Sequence, residues 1–161
     1  MYLHYIVIFD SKTNTMNIRL PKDEDINIAN GEDIARIMRK ILLRQNRLHP
    51  KKEYFWTIGL SAGNDIDYIE LVSFGKISLD KIEPVDVLSF AVSKKCTKIV
   101  ICHNKTKGNL QPSRSAQKLT YKILQGAKTL NILLLDHIII CENEEYFSFG
   151  DSKAFPKEGD F

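Results

Sequence analysis

Hydrophobic positions along this chain change their period several times, and the changes mark out its elements. Residues 1–9 are rich in Tyr, Ile, Val and Phe, residues 10–14 are turn-prone, and Met16, Ile18 and Leu20 alternate with polar neighbours, which predicts a β-hairpin. A polar connection follows over residues 21–28. Ile34, Ile37, Met38, Ile41 and Leu42 then recur at helical spacing, with Asn30 placed to cap the start and Glu32 and Asp33 in the first turn, where the helix dipole favours acids. The expected helix runs from Gly31 to Leu48.

Residues 54–61 and 67–74 read as two strands of a second hairpin joined through Ala62-Gly63-Asn64-Asp65, with Trp56 in the core. Pro84 suits the first turn of a helix that continues through Val87, Leu88, Ala91 and Val92, and residues 98–102 form a short apolar, buried strand. Residues 103–112 read as a polar loop. Ser113 caps a further helix whose apolar side carries Leu119, Ile123, Leu124, Ala127 and Leu130. Residues 132–141 and 146–149 give two closing strands around an acidic turn, and residues 151–161 read as a tail. Strands and helices mixed in this order predict an α/β (α+β) fold, a mixed sheet flanked by helices, with no internal repeat.

Composition narrows the picture further. A chain of 161 residues, 43% hydrophobic, suits one compact domain burying about two thirds of its unfolded surface. The formal charge of +3 is too small to require a polyanionic partner unless the basic residues cluster. Cys96, Cys102 and Cys141 are odd in number and set among apolar residues, as buried reduced thiols are, and a cytoplasmic location is expected. No run approaches the roughly 20 apolar residues of a membrane span, and residues 1–10 are too short and interrupted for a signal peptide.

Four blocks in order carry a family resemblance. The segment His103-Asn104-Lys105-Thr106-Lys107-Gly108 with Pro112-Ser113 stands where the RadC-like family of the JAB/MPN metalloprotease superfamily has H-N-H-P-S-G-x-x-x-P-S-x-x-D. Leu135-Asp136-His137 and Tyr146-Phe147-Ser148-Phe149 resemble its L-D-H strand and closing hairpin, and Glu53-Tyr54-Phe55-Trp56 resembles the strand bearing its acidic residue. The resemblance divides the chain into an added hairpin (1–28), a RadC-like domain (29–151) and the tail (152–161).

In that superfamily two histidines and an aspartate hold zinc, a glutamate is general base to the metal-bound water, and a serine steadies the oxyanion. Such a site needs about three protein ligands with one position open to water. Carried over residue by residue, Glu53 matches the base, His103 the first ligand and Ser113 the serine, but Lys105 and Ala116 stand at the other two ligand positions. A protonated lysine has no lone pair and repels a cation, and alanine offers no oxygen. The resemblance therefore implies an inactive relative without zinc, a protein-binding or scaffold module with an unidentified protein partner. A nucleic-acid-binding protein, in line with the DNA-repair label the family carries, and a residual zinc hydrolase are the alternatives.

Simpler readings stand beside these. His103 is equally a hydrogen-bonded buried histidine, Glu53 either pairs with Lys105 or is solvated, and His137 is a core residue. Lys105, Lys107, Arg114 and Lys118 surround the Ser113 helix start, where free N–H groups favour an anion; the alternative is a solvated basic loop. The hairpin's outer strand, if its edge is exposed, is open to pairing with another copy.

Overall fold

A computed structural model describes residues 6–11, 15–143 and 145–161. Residues 1–5 and the turn residues 12–14 of the expected first hairpin lie outside that set. The chain runs β1 (Ile6–Asp10), β2 (Thr15–Arg19), α1 (Gly31–Leu48), β3 (Glu53–Leu60), β4 (Ile66–Gly75), a single 3-10 turn (Leu79–Lys81), α2 (Pro84–Ser93), β5 (Lys98–Lys105), α3 (Arg114–Thr129), β6 (Leu133–Cys141) and β7 (Tyr146–Ser148). The strands form one mixed sheet in the order β1-β2-β4-β3-β5-β6-β7, antiparallel throughout except for β5 beside β6.

Strand alternation sorts the core into two layers. Tyr54, Trp56 and Ile58 of β3, Val100 and Cys102 of β5, and Ile138 and Ile140 of β6 pack against Ile34, Ile37, Met38 and Ile41 of α1. Phe55, Ile99 and Ile101 face the other way, onto Val87, Leu88 and Ala91 of α2 and Leu119, Ile123 and Ala127 of α3. The central strands are apolar on both sides because helices cover both faces. Gly59 permits one close approach: a Cβ there would lie 2.0 Å from the ring of Tyr68, which crosses β3 at that point.

The helix starts follow from local chemistry. Asn30 accepts the Asp33 N–H, Ser113 accepts the Ala116 N–H, and Pro84 sits inside a capping box of Glu83 and Asp86. The start of α1 also has a distant partner, for the Gly31 N–H donates to the Asp151 carboxylate at 3.2 Å. A Cβ at Gly31 would come within 2.6 Å of that carboxylate and 2.9 Å of the Ser148 hydroxyl. Two features differ from the sequence reading. β5 does not stop at Cys102 but runs to Lys105, because its parallel pairing with β6 continues to Lys105 opposite Cys141. The closing residues also fold back, with Phe155 against the cores on the α3 side and the Phe161 ring 5.8 Å from Tyr121.

Candidate functional site: a histidine relay at the end of β5

The strands β3 and β5 part where the polar block begins. Their ladder is regular up to Phe55 opposite His103. Beyond it the Asn104 side chain takes over, its Oδ1 accepting the Tyr54 N–H at 2.7 Å and its Nδ2 donating to the Lys52 carbonyl at 3.0 Å. A side chain thus satisfies backbone groups that the diverging strands leave behind. The opening that results is a groove of about 410 Å³ lined by Glu53, His103, Lys105, Lys107 and Ser113, with Asp80 and Ser115 beside them. The residues assigned from the H-N-H block and the acidic strand therefore come together, apart from Ala116, Arg114 and Lys118.

His103 is buried and stacks on Phe55 with ring centroids 5.9 Å apart. Its Nδ1 lies 2.8 Å from Nε2 of His137, whose Nδ1 lies 2.6 Å from the Thr120 hydroxyl. That hydroxyl donates to the Ala116 carbonyl at 2.7 Å. Proton counting then orders the chain. The carbonyl has no proton to give, so the one hydroxyl proton is committed to it, and His137 must donate from Nδ1. A neutral His137 accepts on Nε2, His103 donates from Nδ1, and the lone pair of His103 Nε2 is left for the groove. Burial holds both rings neutral: it pushes His103 down to about 3, helped by the charge of Lys105, and carries His137 well below the ordinary histidine value, helped by His103.

Lys105 does not face Glu53, as the sequence reading allowed. Its ammonium donates to the carbonyls of Asn109 at 3.0 Å and Gln111 at 2.9 Å, closing the loop that follows β5. Ala116 is buried in an apolar cluster with Ile139 and Phe149. The Ser113 oxygen caps α3 and keeps its own proton free to donate into the groove. These residues do not fit a zinc ion: one imidazole nitrogen is available, a cation occupies the second position, and a methyl group the third. Among the described residues no three His, Cys, Asp or Glu side chains group together as ligands.

The basic residues divide. Lys105 and Lys107 line the groove, while Arg114 and Lys118 are exposed on the first two turns of α3 outside its lining. The Leu135-Asp136-His137 block has two separate duties. Asp136 accepts from the N–H groups of His137 and Gly150 and from the Ser148 hydroxyl, binding the closing segment to β6. Burial holds its carboxyl above the ordinary value, helped by the charge of Asp151, and these three hydrogen bonds offset only part of that rise. Cys102, beside His103 in sequence, faces the α1 core, as strand alternation requires. Sequence reasoning missed Thr120, whose signal was a polar residue next to Leu119 on the apolar stripe of α3.

Comparison with known sequences supplies a family. The RadC-like JAB domain family matches residues 28–154. A UPF0758 protein of Fusobacterium nucleatum is 30% identical over 86% of this chain and 57% of its own length, and a UPF0758 protein of Streptococcus suis is 33% identical over 63% of this chain and 41% of its own. One from Caldanaerobacter subterraneus is 28% identical over 73% of this chain and 48% of its own. The chain spans about half the length of these relatives.

Proposed function

We propose that this chain, which belongs to the RadC-like JAB domain family, is a non-catalytic member whose groove holds a segment of a protein partner. The observation that carries the reading is the fate of Lys105. Where a second zinc ligand would stand in an active relative, its ammonium is tied to two carbonyls of its own loop, so the chain supplies its own fixed cation there. Two cations at that place exclude each other, because a lysine so held repels a divalent ion instead of binding it.

What remains is suited to recognition. His103 Nε2 and the Glu53 carboxylate accept hydrogen bonds, Ser113 donates one, and an extended peptide backbone offers both partners. Zinc-dependent hydrolysis is the least favoured reading. Nucleic-acid binding comes second, supported by Lys105 and Lys107 in the groove and Arg114 and Lys118 close by; among the described residues no Phe, Tyr or Trp lines the groove to stack a base.

Elemental analysis of the purified protein is expected to give far less than one zinc per chain. The double variant Lys105→His with Ala116→Asp should gain zinc affinity that His103→Ala then abolishes. Stoichiometric zinc in the parent, removed by His103→Ala, refutes the reading. Tight binding of a mixed-sequence DNA or RNA oligonucleotide, weakening steeply with salt, would transfer it to the second.

A further inference from the structure

Away from the groove, on the face of the sheet turned to α2, three adjacent strands place polar side chains in one row: Asn17 of β2 is opposite Glu70 of β4, and Glu70 is opposite Thr57 of β3. Each leaves a buried side-chain oxygen without a partner, namely Asn17 Oδ1, Glu70 Oε1 and Thr57 Oγ1, and the Tyr68 hydroxyl two residues along β4 is a fourth. These are four of the six such atoms among the described residues, gathered on one patch of sheet. Buried polar atoms are nearly always paired, and a buried carboxyl is the most costly to leave alone, so a cluster of them points to a ligand. Glu70 is only 8% exposed and Thr57 is fully buried. Of these four residues Glu70 alone lines a pocket, of about 540 Å³, whose walls also include Ser73, Ser78, Lys76, Lys81 and Asp86.

We propose that this pocket is a binding site for an organic cation carrying N–H donors, an ammonium or a guanidinium group, seated on Glu70, the member of the row that lines it. The row consists of oxygen acceptors with a single carboxyl group. A hard divalent metal takes six or more oxygens and usually several carboxylates, which the row lacks. An ammonium has three donors and a guanidinium five in a plane, and either can bind a single carboxylate by charge-assisted hydrogen bonds. The chain's own lysines do not fill the place: Lys76 and Lys81 are exposed, and the ion pairs of the described residues do not include Glu70. Facing water, they repel an entering cation only weakly at ordinary ionic strength, and Asp86 offsets part of that repulsion.

Burial pushes the Glu70 carboxyl up to about 7. The other titratable groups near it are Tyr68 on its own strand and Lys76, Lys81 and Asp86 in the pocket walls, since β2 and β3 contribute only Asn17 and Thr57 to the row. The cation binds the ionised carboxyl, so association releases a proton, and affinity falls about tenfold for each pH unit below the midpoint.

The test is an NMR titration of the full chain that follows the Glu70 side-chain carboxyl carbon and the Thr57 methyl. The probes are ethylammonium and methylguanidinium, with tetramethylammonium as a cation of equal charge and no N–H. One of the first two should shift both signals to saturation and lower the Glu70 midpoint by about one pH unit, and whichever saturates at lower concentration identifies the group. Tetramethylammonium should do neither. Glu70→Gln, which keeps the shape and removes the charge, should abolish the response of Thr57, its neighbour on β3. Absence of a saturable shift, an equal response to tetramethylammonium, or a free-protein midpoint already in the usual carboxylate range would each overturn the proposal, the last because a chain lysine would then occupy the site.

Discussion

Single residues here carry chemistry that their neighbours decide. Thr120 has one proton, and its commitment to the Ala116 carbonyl fixes the tautomers of His137 and His103 in turn. In ¹⁵N spectra His103 should therefore show a protonated Nδ1 and a bare Nε2, the reverse of the tautomer usually preferred in water. Thr120→Val should relax that preference while the protein stays folded; His103 observed with a proton on Nε2 would contradict the relay. Glu70 gives a second prediction. Its carboxyl is raised from the ordinary 4.5 to about 7, so the folded protein holds a proton that the unfolded chain releases. The contribution is intact below pH 4.5 and is lost as pH rises through 7, amounting to about 3 kcal/mol at most. Glu70→Gln should thus be more stable than the parent at pH 8 and equal to it near pH 4, as measured by urea denaturation. Both sites had readable signals: Glu70 stands in phase with Tyr68 and Val72 on the inward side of its strand, where a charge is out of place. The partnership of His103 with His137 was not readable, because it depends on β5 and β6 lying side by side across 34 residues of sequence.

At the scale of elements, the helices were legible almost to the residue. Asn30, Pro84 and Ser113 are terminus residues whose effect is local, and the apolar stripes of α1 and α3 have an unmistakable period. The end of β5 was not legible. Asn104 and Lys105 are strand residues only because β6 pairs with them, and a polar run otherwise reads as loop. Asn104 replaces a piece of missing ladder, which makes its removal costly. Asn104→Ala leaves the N–H of buried Tyr54 without an acceptor and should destabilise the protein by about 2 kcal/mol, whereas Asn104→Asp, which keeps an acceptor for Tyr54, should cost less. Equal stability of Asn104→Ala and the parent would show that the strands close up without it. The start of α1 makes a parallel case: Gly31→Ala drives a methyl group against Asp151 and Ser148 and should cost about 1 to 3 kcal/mol.

For the whole molecule, the mixed sheet between helix layers followed from the order of elements, and the family from four short blocks, two of which the fold brings to one groove. The first ligand position, the acidic strand and the serine meet at the groove; what the blocks could not reveal is how the substituted positions are used. Lys105 holds its loop, and Ala116 has joined a small core with Ile139 and Phe149. Restoring the ligands therefore has a stability consequence. Ala116→Asp alone buries a carboxylate among apolar side chains and should destabilise the fold by several kcal/mol, while in the double variant with Lys105→His added zinc should recover most of the loss. A double variant whose melting temperature zinc leaves unchanged would mean that the groove has closed around its new residues.

The hydrogen bond from Gly31 to Asp151 has a temporal meaning as well. A chain made from its N-terminus exposes α1 to solvent long before residue 151 emerges, and the parallel partner of β5 also comes late. Nascent chains arrested before residue 136 hold α1 and the β3–β4 hairpin with neither the distant acceptor nor β6, so they should be cut readily by protease. Release of the remaining residues should then protect the whole domain in one cooperative step, a distant contact completing what local contacts began.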